Sequence, residues 1–225
     1  MNPRKNMKIS QFTDSGKSLR LGARWRKACG APVRQMPDAK KGREVDIMKT
    51  EYLLDEQVEH VLALLTPVNR LAMRVALHTG LRIGDVLSLK KSDVEKGPQF
   101  GITESKTGKR RRVNLTEPLW RELCACCGEV WVFQSRSDPA KHRSRQAVWR
   151  DVKRAEKALR LPQNIGPHSA RKVYAVHVLK DYAGNIDKVR RALNHSRDST
   201  TMIYVMAATL LEAKYAKQRR RRKNP

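Results

Sequence analysis

Apolar residues recur at helical spacing through most of the chain. Tyr52, Leu53, Val58, Val61, Leu62 and Leu65 share one face, with Asp55, Glu56, Glu59 and His60 opposite. That pattern predicts a helix beginning near Thr50 and stopped by Pro67. A second helix runs from about Asn69 to His78, presents Leu71, Ala72, Val75 and Ala76, and breaks at Gly80. Ile83 to Leu89 reads as a third, short helix. Between about Pro98 and Leu115 the period changes. Phe100-Gly101-Ile102-Thr103 and Arg111-Arg112-Val113-Asn114-Leu115 flank Lys106-Thr107-Gly108-Lys109, which predicts a hairpin around a glycine-containing turn.

Helices resume at Pro118 to Cys127. Trp131-Val132-Phe133 reads as a short strand or a buried apolar corner, and Ser137 to Ser144 as a polar loop. Gln146 to Leu159 is an amphipathic helix with Val148, Val152, Ala155 and Leu159 on one side, ended by Pro162. Pro167 opens the next helix and Gly184 breaks it. Ile186 to Leu193 forms another, Tyr204 lies on or just before the one after, and Ala207 to Lys217 is the last. No internal repeat is present. The fold class expected is mostly α with a small antiparallel β-hairpin, an α+β arrangement.

Charge changes this picture at the two ends. The 225 residues carry 48 Lys+Arg and 22 Asp+Glu, a formal net charge of +26. Met1 to Asp46 holds 12 Lys/Arg against 4 Asp/Glu and has no sustained apolar period. Residues 1–48 are therefore expected to be a basic arm, which contacts DNA backbone or is a solvated tail. Residues 49–217 are expected to be the folded domain, and 218–225 a basic tail. An excess of this size predicts a polyanionic partner. Nucleic acid is favoured over membrane, because no apolar run approaches the roughly 20 residues of a spanning helix. The first 20 residues do not read as a secretory signal.

Three of the four cysteines crowd into Leu123-Cys124-Ala125-Cys126-Cys127. No second pair completes a zinc site, so they are expected to be reduced, mostly packed thiols on a helix. A cytosolic or nucleoid setting fits them.

The candidate chemistry is cleavage of a DNA phosphodiester without a metal or other cofactor. The transition state gathers charge on the phosphate oxygens, and guanidinium groups suit it because they are always charged and grip phosphate bidentately. Arg82 and Arg171 are the candidates. His168 and His195 can donate or move protons near neutral pH. Lys106, at the hairpin tip, can protonate the leaving 5′ oxygen. Tyr204 is the candidate nucleophile. Ionising a free tyrosine at pH 7 costs roughly 4 kcal/mol, a cost that nearby cations lower. No phosphate-binding G-x-x-x-x-G-K-[ST] loop is present, which fits chemistry that stores the bond energy in a phosphotyrosyl link. Taken singly, each residue is better explained by a solvated cation, a satisfied histidine or a core tyrosine; together they point to one site.

The ordered set Thr79-Gly80-Leu81-Arg82-Ile83-Gly84-Asp85, Lys106-Thr107-Gly108, His168-x-x-Arg171 and Leu193-Asn194-His195 with Thr200-Thr201 and Tyr204 resembles the tyrosine recombinase (phage integrase) family. The resemblance spans about residues 50–215 and implies that family's catalytic-domain fold. It implies that Arg82 and Arg171 clamp the scissile phosphate and Lys106 is general acid. His168 and His195 would assist proton transfer, and Tyr204 would form a 3′-phosphotyrosine. Asp85 matches an acidic position that supports the first arginine. Asn194 stands where the family usually has glycine, and asparagine accepts positive φ better than most residues. Ser169 and Lys172 also depart from the commonest residues of their motif. Most members carry an all-helical core-binding domain of roughly 80 to 100 residues ahead of the catalytic one. Only the basic arm stands there here, as in short members resembling the fimbrial inversion recombinases.

The expected function is therefore site-specific integration, excision or inversion of double-stranded DNA by a homotetramer, with accessory DNA-bending proteins as further partners. A non-catalytic DNA-binding remnant and a type IB topoisomerase-like relaxing activity are the competing readings.

Overall fold

Helices carry most of the computed structural model, which describes residues 51–194. Among these residues the order is α1 (Asp55–Leu64), α2 (Pro67–Thr79), α3 (Ile83–Leu87), α4 (Lys91–Val94), β1 (Gln99–Thr103), β2 (Arg110–Asn114), α5 (Glu117–Cys126), α6 (Arg145–Ala158), α7 (Pro167–Asp181) and α8 (Ile186–Leu193). The expectations for the basic arm, for His195 and Tyr204, for a helix at Ala207–Lys217 and for the basic tail lie outside the described residues.

The hairpin pairs Gln99 with Asn114, Phe100 with Val113, Ile102 with Arg111 and Thr103 with Arg110. Phe100 and Val113 are buried, so the face they share is the inner one. Side chains alternate along a strand, and Arg111 therefore lies on that inner face while Arg110 and Arg112 lie on the other. The main core gathers Leu71, Val75 and Ala76 of α2, Val148 and Val152 of α6, Ala170 and Val173 of α7, and Val132 and Phe133. Trp131-Val132-Phe133 is thus the buried corner, tied by an isolated bridge between Lys90 and Trp131. A smaller cluster, Ala175, Val178, Val189 and Leu193, joins α7 to α8.

Three readings change. Pro67 does not merely stop the first helix; it is the opening residue of α2, where its missing N–H and fixed φ suit a helix start. Tyr52 and Leu53 are buried but precede α1, held by the Leu54 N–H donating to Gln57 Oε1 at 3.1 Å. The cysteines are not mostly packed: Cys124 is exposed, and Cys126 and Cys127 are half-buried. Burial, with acidic neighbours for Cys124, pushes all three thiols up, the opposite of an activated thiolate.

A buried polar knot fixes where α2 begins. Asp151 of α6 accepts from the Thr66 N–H at 2.9 Å, the Thr66 hydroxyl at 2.8 Å and Asn69 Nδ2 at 2.7 Å, and Arg154 Nη2 donates to its other oxygen at 2.6 Å. Burial raises the Asp151 carboxyl, and these donors overcome it and hold it at about 2. With its start anchored, α2 delivers its last residue, Thr79, to the site. Among the described residues no helix is long and apolar enough to cross a membrane.

Candidate active site

The site is built on two left-handed helix ends and one hairpin turn. At the end of α2 the Thr79 hydroxyl donates to Val75 O at 2.7 Å and accepts from the Leu81 N–H at 3.2 Å. Gly80 follows with φ +66°. A Cβ there would stand 2.2 Å from the Tyr174 ring, so glycine is needed both for the turn and for the ring lying on it. The turn leaves Arg82 extended, as the residue preceding α3.

The Arg82 side chain is 21% exposed. Its Nη1 donates to Glu104 Oε2 at 2.6 Å and lies 4.0 Å from Asp85 Oδ2. Asp85 is buried, and its Oδ1 accepts from the Ser105 N–H at 2.9 Å and the Ser105 hydroxyl at 2.6 Å. Asp85 therefore holds the hairpin turn more closely than it holds the arginine.

Lys106 is exposed at that turn, between Ser105 and Thr107. The turn is closed by Glu104 N–H to Lys109 O at 3.0 Å and Gly108 N–H to Glu104 O at 2.9 Å. The Thr107 hydroxyl donates to Glu104 Oε2 at 3.0 Å. Glu104 is fully buried, and Arg111 Nη1 reaches its second oxygen at 3.5 Å. Burial pushes the Glu104 carboxyl up; hydrogen bonds from Arg82 and Thr107 and the charges of Arg82 and Arg171 outweigh burial and hold it below the usual range. Arg111 also donates from Nη2 to Thr79 O.

Arg171 is 1% exposed. Its Nη1 donates to Gly80 O at 2.6 Å and its Nη2 to Leu193 O. One guanidinium thus ties the turn after α2 to the end of α8. There Asn194 takes the left-handed conformation, φ 55°, ψ 34°. Asparagine fills the place of the expected glycine without losing the turn. His195 is the next residue and, like Thr200, Thr201 and Tyr204, lies outside the described residues.

His168 is half-buried in the first turn of α7. Burial and then the charges of Arg171, Lys172, Arg82 and Lys106 push its imidazole down to about 4, so it is neutral at pH 7. The charges of Arg82, Lys106 and Arg171, residues separated by up to 89 positions in sequence, thus bear on one ring. Lys172 is itself buried. Burial lowers its ammonium to about 8, against the opposing charge of Glu51.

Sequence reasoning missed Glu104, Arg111 and Tyr174. Glu104 stands out as the acid beside Lys106, Lys109 and Arg110 to Arg112. Strand alternation from Val113 puts Arg111, and not its two arginine neighbours, on the inner face. Tyr174 sits three positions after Arg171 on α7, the spacing at which helix residues share a face.

The profile of the phage integrase family matches residues 51–210. The chain belongs to the phage integrase family. Its fold is that of this family's catalytic domains. Aligned with the catalytic domain of bacteriophage HP1 integrase it has a TM-score of 0.53 and 25% identity, covering 70% of this chain and 88% of that one. A lambda integrase tetramer bound to a Holliday junction aligns with a TM-score of 0.57 at 22% identity, over 75% of this chain and 50% of that chain. Among family relatives, the probable integrase/recombinase YoeC of Bacillus subtilis is 32% identical over 133 residues, 57% of this chain and 72% of that protein. The chain spans about half the length of several tyrosine recombinases it matches.

Proposed function

We propose that the chain is a site-specific DNA recombinase that cuts and rejoins strands through a 3′-phosphotyrosyl intermediate on Tyr204. The observation that carries this reading is that Arg171 ties the turn before Arg82 to the end of α8 and Arg82 is bonded to the hairpin turn that exposes Lys106, in a member of the phage integrase family.

Arg82 is the more exposed of the two guanidiniums and receives the scissile phosphate. Arg171 acts from beneath: its charge favours the dianionic transition state, and its bonds hold both turns that frame the site. The Tyr204 oxygen attacks phosphorus, the bond to the 5′ oxygen breaks, and Lys106 supplies the proton that leaves with the 5′ hydroxyl. His168 and His195 donate hydrogen bonds to the phosphate and relay the tyrosine proton. Rejoining is the reverse, with a 5′ hydroxyl attacking the phosphotyrosyl link. One phosphodiester is exchanged for another, so neither a metal nor ATP is needed. Asp85 keeps the hairpin turn in place through Ser105.

The working substrate is double-stranded DNA, and the working assembly a homotetramer on two duplexes; the similar lambda integrase forms a tetramer bound to a Holliday junction. Residues 49–217 form the catalytic unit, with 1–48 and 218–225 as basic flanks that add phosphate contacts. The place of action is the nucleoid.

Nicked suicide duplexes carrying the protein's recombination site test this reading in EDTA and without ATP. A covalent protein–DNA adduct that is absent in Tyr204→Phe is expected. No adduct in the wild type removes the enzyme reading and leaves a DNA-binding remnant. An adduct followed only by relaxation of single duplexes points to a topoisomerase-like activity.

A further inference from the structure

The residues on either side of Lys106 are each tied to a buried carboxylate. Ser105 is held by Asp85, and Thr107 by Glu104. Both acids also face the Arg82 guanidinium, but unequally: 4.0 Å for Asp85 and 2.6 Å for Glu104. Glu104 Oε2 is the one atom that receives both the Arg82 guanidinium and the Thr107 hydroxyl. Its backbone closes the same turn at both its N–H and its carbonyl. Its other oxygen meets Arg111, which in turn bonds Thr79 O at the base of the Arg82 turn. A shift of the hairpin is therefore transmitted to Arg82 through a short, charge-assisted contact whose carboxylate end is fully buried.

We infer that Glu104 is a positioning residue that sets Lys106 and Arg82 at a fixed separation, so that the proton donor and the phosphate clamp meet one phosphodiester together. The inference rests on the strand-cleavage reading above. Glu104 touches neither phosphate nor leaving group; it acts through Arg82 on one side and through the Thr107 turn on the other. Small misplacements of catalytic groups cost large factors in rate, and without Glu104 the turn would be tied on one side of Lys106 only, by Asp85 through Ser105.

The test separates the two arms with the leaving group. A duplex whose scissile 5′ oxygen is replaced by sulfur releases a thiolate, whose conjugate acid has a pKa near about 8.5 and needs no proton donor. Defects that act through Lys106 vanish on it, and defects that act through Arg82 persist. Single-turnover cleavage is measured on both duplexes for the wild type, Lys106→Ala, Arg82→Ala, Glu104→Gln and Thr107→Val, with DNA affinity and thermal midpoint for each. Glu104→Gln is expected to cleave ordinary DNA about a hundredfold more slowly and to be only partly restored by sulfur, since both arms are loosened. Thr107→Val cuts one arm; its smaller defect is fully restored by sulfur, like that of Lys106→Ala. Affinity for DNA stays within about threefold of wild type in both, because phosphate contacts along the duplex dominate binding. If Glu104→Gln is too unstable to purify, Thr107→Val with the sulfur duplex decides alone. Normal cleavage by folded Glu104→Gln and Thr107→Val, or slow cleavage that sulfur leaves wholly unrepaired in Thr107→Val, overturns the inference while Lys106→Ala still behaves as a general-acid variant. A wild type that forms no Tyr204 adduct removes the cleavage reading, and this inference with it.

Discussion

Arg82 gives its guanidinium to carboxylates at the rim of the site, whereas Arg171 gives its own to two backbone carbonyls beneath it. The first is 21% exposed in its side chain; the second residue is 1% exposed. The sequence motifs present both as equivalent phosphate clamps. The packing divides them. Arg82 is held by salt bridges that a phosphate can compete with. Arg171 is a strut whose donors end the α2 and α8 turns, and its charge lowers both the Glu104 carboxyl and the His168 imidazole. A buried guanidinium can thus serve fold and electrostatics together, because it cannot lose its proton to escape the desolvation.

The largest expected effect breaks this division at Arg171. Arg171→Ala takes a charged donor from two buried carbonyls, at about 1–3 kcal/mol each. Urea denaturation should show a loss of about 2–5 kcal/mol, and adduct formation should vanish with it. Arg171→Lys, a single point donor, cannot span both carbonyls and should recover only part. Arg82→Ala is the counterpart. Removing one charge-stabilising donor costs about 10²–10³ in cleavage rate, or about 3–4 kcal/mol. Its unfolding free energy should fall by only about 1–2 kcal/mol, because Glu104 keeps Thr107 and Arg111. Equal losses of stability in the two variants would erase the distinction.

The helices were legible because each carries its own apolar period: α8 has the expected limits, and α5, α6 and the hairpin strands are placed within a few residues. The short α4 was not legible, since four residues hold no period, and its one buried residue, Val94, sends no signal of its own. Pro67 carries both signals, because a proline breaks the helix before it and opens the one after it with the same φ, and sequence alone does not say which. In the candidate site, the order of the motifs picks out Arg82, Lys106, His168 and Arg171 as one set, and the charges of the other three bear on the His168 ring. That order was silent on what those residues touch. Glu104 and Arg111 lie 22 and 32 positions from the Arg82 and Thr79 that they meet, and such pairings are set by how the hairpin folds back on the end of α2.

The two left-handed turns extend the same contrast. Gly80 and Asn194 both end helices at positive φ, +66° and +55°, and in each turn Arg171 holds a carbonyl, that of Gly80 itself and that of Leu193. Among the described residues, Gly80 is also covered by an aromatic ring, that of Tyr174. Gly80→Ala should cost about 2–3 kcal/mol, from the left-handed strain and from displacing Tyr174. Asn194→Gly should lie within about 0.5 kcal/mol of wild type, as both residues tolerate that backbone. Urea midpoints of the pair are the measurement. A severe Asn194→Gly would mean that the amide side chain, and not its tolerance of positive φ, is what that turn requires.

The last expectation concerns the ring whose charged form both arginines disfavour. In the free protein His168 has its pKa near 4, below the ordinary 6.5, because burial and the charges of Arg171, Lys172, Arg82 and Lys106 disfavour the imidazolium. As pH falls, the unfolded chain takes up this proton first. The stability that neutral His168 provides is therefore complete above pH 6.5, is lost progressively toward pH 4, and falls no further below it. Relative to His168→Gln, the wild type should lose about 1–2 kcal/mol between pH 7 and pH 5. A bound phosphate reverses the local field. It favours the imidazolium, raises the pKa in the complex, and makes DNA binding take up a proton that the free protein does not hold. DNA affinity should then rise as the pH is lowered over the same window, and His168→Gln should flatten that rise while leaving the steep salt dependence intact. Opposite slopes for stability and affinity, both abolished in one variant, would tie the site's cations to a phosphate placed beside His168. Parallel slopes would put the phosphate elsewhere.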